Sequence, residues 1–155
     1  MRTREPKSVE EFVSYLEECD RAIRSEPSVG LELAEKASTY LERLEVSEYL
    51  GRNLQMRNGG VLGDALAATR SRSLAVDAYE AAKRVPASRA ERASLAIRLA
   101  RFYAEDERWA EATSEASTAV TRFLRHRPRY ETGLRSLSGA LVARGNIFFL
   151  VPTCL

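Results

Sequence analysis

A fixed recurrence constrains this chain more than any other feature. Leu62-Gly63, Leu66 and Arg72 return 37 residues later as Leu99-Ala100, Tyr103 and Trp109, and after a further 38 as Leu137-Ser138, Leu141 and Ile147. The small residues Ala75 and Ala82 keep the first step, to Ala112 and Ala119. A period in this range marks a solenoid, in which each helical pair buries its apolar face on its neighbours. Every apolar-periodic stretch repeats near 3.6 residues and none alternates as a strand, so an all-α scaffold of about seven helices is expected.

Local signals place those helices. Ser8, with Glu11 three residues on, carries the capping-box signature, and Phe12, Tyr15, Leu16, Cys19, Ala22 and Ile23 follow at helical spacing. This predicts a helix over 9–24. Ser25-Glu26-Pro27-Ser28 breaks it, and Leu31, Ala34, Ala37, Leu41 and Leu44 form the stripe of an antiparallel second helix, making 9–44 a degenerate helix pair. A first full repeat spans 46–86, through Tyr49, Leu50, Leu54, Val61, Leu62, Ala65 and Leu66, then Leu74, Ala75, Ala78, Tyr79 and Ala82 to the stop at Pro86. Asn58-Gly59-Gly60 are poor helix formers, and a kink or break is expected there. A second repeat spans 88–128, turned at Glu105-Asp106-Glu107 and stopped by Arg127-Pro128. A seventh helix over 130–144, closed by Gly145-Asn146, belongs to an incomplete third repeat, 130–147.

Composition removes several function classes. At 155 residues the chain is one domain's worth and buries roughly two-thirds of its unfolded surface. A net charge of +2 on 30% charged residues describes a solvated surface, not the concentrated field of a dedicated nucleic-acid binder. Cys19 and Cys154 have neither zinc spacing nor a CxxC, which fits free thiols and a cytoplasmic setting. Residues 1–7 have no apolar run behind their positive charges, and the densest apolar run, 147–151, is far short of the roughly 20 residues that span a bilayer. No membrane partner is expected. His126 is the only histidine and sits at a helix end, so no catalytic constellation, metal or cofactor is expected, and the chain reads as no enzyme. Asn58-Gly59-Gly60 lacks the lysine and Ser/Thr of a P-loop. Arg122, Arg125, His126, Arg127 and Arg129, interleaved with Phe123 and Tyr130, form the densest basic cluster, which reads first as an exposed helix terminus and second as a phosphate contact.

Leu99-Ala100, Tyr103, Trp109, Ala112 and Ala119 stand at the large-small-aromatic-aromatic-small-small offsets of a tetratricopeptide repeat, and this segment resembles that family. Leu62-Gly63, Leu66, Ala75, Tyr79, Ala82 and Pro86 match more completely, with Arg72 in place of an aromatic residue. The resemblance covers 56–147, although steps of 37 and 38 exceed the family's usual 34. Small residues at these offsets let helix backbones approach, and Tyr79, Tyr103 and Trp109 are expected to fill the gaps between them.

The resemblance implies a right-handed solenoid of antiparallel hairpins whose first helices line a concave groove. Carried onto this chain, it puts Arg57, Asp64, Arg98, Arg101, Glu105 and Arg135 on the concave side. Four of these six are arginines, a residue suited to bidentate carboxylate contacts, so the expected function is a non-enzymatic protein–protein interaction module that binds an acidic peptide or protein segment. Two alternatives stand beside it: a peptide-sensing regulatory domain, as similar repeats form in bacterial regulators, and nucleic-acid binding through 122–129. Phe148, Phe149, Leu150 and Val151 follow the unpaired seventh helix and are expected either to fold back as a cap or to form a homodimer contact.

Overall fold

A computed structural model describes residues 5–124. Among them lie six helices and no strand: α1 (Val9–Ser25), α2 (Pro27–Arg43), α3 (Glu48–Ala68), α4 (Arg72–Arg84), α5 (Arg89–Glu105) and α6 (Trp109–Leu124). They fall into two compact units that divide after Ser88. The all-α expectation therefore holds for the described residues. The seventh helix, Arg135, His126 and the apolar run 147–151 lie outside them.

In the first unit, α1 starts where the capping signature placed it. Ser8 Oγ accepts from the Glu11 N–H at 3.2 Å. The return arm is displaced by one residue, since the Glu11 carboxylate accepts from the Lys7 N–H at 2.7 Å rather than from Ser8. A single residue, Glu26, links α1 to α2, which opens with Pro27 in its first turn, where a missing N–H costs nothing. The two helices run antiparallel: Gly30 lies against Ile23 beside the turn, Tyr15 donates to the Leu33 carbonyl at 3.2 Å farther along, and Arg43 reaches Glu5 at the open end. The Tyr15 ring also meets Tyr40 edge-on, with centroids 5.4 Å apart. Phe12, Leu16, Cys19, Ala34 and Ala37 share one core with Leu54, Val61 and Ala65, so α3 closes the first hairpin.

Of the kink or break expected at Asn58-Gly59-Gly60, the break is absent, and α3 runs unbroken through these residues. Propensity predicts the break, and packing overrides it. A Cβ on Gly59 would lie 2.8 Å from the Cβ of Ala82, and one on Gly63 would lie 2.5 Å from the Tyr79 ring. Glycine here lets α4 approach α3, a gain that offsets its cost of about 1 kcal/mol in a helix.

The 37-residue step reappears in the backbone. After α3, the Ser71 N–H bonds Leu66 O and the Arg70 N–H bonds Ala67 O; after α5, the Arg108 N–H bonds Tyr103 O and the Glu107 N–H bonds Ala104 O. Both are Schellman caps. Each places a non-glycine residue in the left-handed region, Arg70 at φ 64° and Glu107 at φ 57°. In the second unit α5 and α6 pack through Ala93, Ala96 and Ala119, with Ile97 and Val120 against them.

Three apolar residues leave their expected places. Trp109 is 36% exposed, because it is the first residue of α6, beside a turn where the Arg108 guanidinium sits 4.7 Å from the Tyr103 ring centroid. Leu74 is exposed because the buried stripe of α4 is Ala75, Tyr79 and Ala82, one helical step away. Tyr49 is exposed in the first turn of α3. Tyr79 and Tyr103 are buried as expected.

Candidate functional site

The residues expected to line a groove divide between the two units. Arg57 and Asp64 are both half-buried on α3, seven residues and two turns apart on one face. Asp64 Oδ1 accepts from the Tyr79 hydroxyl, which ties this carboxylate into the α3–α4 packing. Arg98, Arg101 and Glu105 follow one another at spacings of three and four on α5, half-buried, exposed and exposed in turn, so they share a face of that helix. Each of these five residues holds an interaction within the molecule.

Cys19 is the nucleophilic side chain of α1, and its setting keeps it protonated. It is fully buried and unbridged. Burial pushes its thiol up to about 12, and the nearby negative charges of Asp20 and Glu18 push in the same direction. Since the thiolate is the reactive form, Cys19 serves as a small core residue.

A second arrangement, on which the sequence reading places no function, lies among α2, α3 and α4. These helices, with the loop that joins α2 to α3, line an open cavity of about 480 Å³. Leu41, Val46, Leu62 and Val85 supply apolar walls, and small residues of α3 and α4, among them Gly51, Gly59 and Ala81, leave the space open. Asn58 lines it and is 5% exposed. The Asn58 Nδ2 donates to Ser38 Oγ at 2.8 Å, whereas its Oδ1 is buried and accepts from no described residue. The sequence carries a trace of this site, because Leu54, Asn58 and Leu62 stand four apart and put one amide in an apolar stripe. Its meaning depends on Ser38, 20 residues earlier, which periodicity does not place opposite.

No family model matches this chain, and neither a curated protein nor a solved structure proves similar to it.

Proposed function

We propose that this chain is a cytoplasmic, non-enzymatic interaction module of the tetratricopeptide-repeat kind, a right-handed solenoid of hairpins completed by the seventh helix over 130–144. On this reading, Arg57, Asp64, Arg98, Arg101 and Arg135 recognise an acidic peptide or protein segment. One observation carries it: the matched caps at Arg70 and Glu107 stand in the same 37-residue register as the buried pairs Ala75 and Ala112, and Ala82 and Ala119. Residues repeated for packing face inward, and a partner would meet the charged positions of the first helices in competition with the interactions these already make within the molecule. Arg98 and Arg101, adjacent on one face of α5, are suited to grip carboxylates.

Selection from a random peptide library is expected to return segments rich in Asp and Glu. Calorimetric titration of one such peptide into the double variant Arg98→Glu, Arg101→Glu is expected to show a loss of about 2 to 5 kcal/mol for a buried pair. An unchanged circular dichroism spectrum would establish that the variant is folded. Unchanged affinity in that folded variant removes the groove reading and transfers attention to 122–129 and 148–151. Persistence of a dimer after deletion of 147–155 would place any self-association elsewhere.

A further inference from the structure

We infer that the cavity between α2, α3 and α4 is a binding site for a small amphiphile with an apolar body and a protonated amine head. The inference does not rest on the peptide reading, because none of the charged positions assigned to the peptide is among the described lining residues. At about 480 Å³ it falls within the range of small-ligand sites, about 300 to 1,000 Å³. Its walls are mostly apolar, with a few polar groups among them, the composition by which such sites hold a ligand body and orient its head.

The polar groups set the sign of that head. In the observed arrangement the Asn58 amide gives one of its two N–H groups to Ser38, and its buried oxygen has no partner among the described residues. Leaving a buried acceptor unmade destabilises the fold, so a native chain that keeps one calls for an explanation. Glu42, exposed at the cavity's edge, is the charged side chain among the described lining residues, and it too attracts hydrogen-bond donors. The terminal torsion of asparagine is broad, which lets a donor entering the cavity engage Oδ1 by a modest turn of the amide. Ser38 can hold either end of that amide, since a hydroxyl both donates and accepts. An anionic head would meet the Glu42 carboxylate and an amide oxygen; an ammonium head meets two acceptors, and the exposed Gln55 amide, which can donate or accept, favours neither sign.

The test uses the 155-residue chain and three probes of equal body, phenylbutylamine, phenylbutanol and phenylbutanoate, followed by amide NMR. The amine is expected to give saturable shifts at the Asn58 side-chain amide and at Gly51, Gly59 and Ala81, and to bind about tenfold more tightly than the carboxylate. Glu42→Gln should narrow the gap between amine and alcohol, and Ala81→Phe, at an exposed position of the lining, should abolish binding. Asn58→Leu should weaken the amine about tenfold while raising the urea midpoint, since it removes the unpartnered oxygen. Should that variant fail to fold, Ala81→Phe and Glu42→Gln decide alone. A water molecule is the competing occupant. An absence of saturable shifts with any probe, an order not led by the amine, or binding that survives Ala81→Phe overturns the site.

Discussion

At position 19 a thiol occupies space that an alanine would leave partly empty, and its ionisation is coupled to folding. The unfolded chain releases this proton near the ordinary value of 9.0, and the folded chain only near 12. A group whose folded value is raised contributes stability that is complete below the unfolded value and is lost as pH climbs from about 9 toward 12. The stability difference between the parent and Cys19→Ala, measured by urea unfolding, should therefore shrink as pH rises from about 8 to about 10.5. A gap that stays constant would mean the thiol ionises alike in both states. Single residues were legible in the sequence when their roles were local. Ser8 and Pro27 act within one turn of their own positions, and both behave as read. Trp109 and Asn58 were not legible, because the first falls at the opening residue of α6 and the role of the second depends on a serine from another helix.

Helices bring glycine into two opposed situations, and substitution separates them. At Gly30 a Cβ would lie 2.6 Å from the Ile23 backbone nitrogen, and backbone cannot rotate away. At Gly63 it would strike the ring of Tyr79, which is 1% exposed. Gly30→Ala and Gly63→Ala should each destabilise by about 1 to 3 kcal/mol through overpacking. Gly51 lies in the same helix as Gly63, yet its nearest neighbour would be a Val46 methyl at 3.4 Å. There the helix preference of alanine prevails, and Gly51→Ala should stabilise by about 0.5 to 1 kcal/mol. Denaturation midpoints of the three variants check this, and a common sign would show that packing is not what distinguishes them. The same contrast explains why helix boundaries were readable and the continuity of α3 was not. Caps and prolines announce an end locally, whereas a glycine pair reads as a break until Ala82 of α4 is seen to need the space.

Across the whole chain the 37-residue recurrence was visible as side chains before it was visible as backbone. Leu62 and Leu99 declare it, but Thr69-Arg70-Ser71 and Asp106-Glu107-Arg108 contain no glycine to announce a left-handed turn. The charged surface was less legible, since an arginine's spacing fixes its side of a helix and leaves its partner open. The two caps nevertheless give the molecule a pair of matched clocks. The amides of Ser71 and Arg108 make the same bond, 2.9 Å in each case, one in each compact unit. With intrinsic exchange rates corrected for sequence, any remaining difference in their deuterium uptake measures how often each unit opens and not how each turn is built. If the two units open independently, Ser71 and Arg108 should differ in that uptake. Equal rates would mean that one opening event governs both halves, and the repeat would then keep a single time.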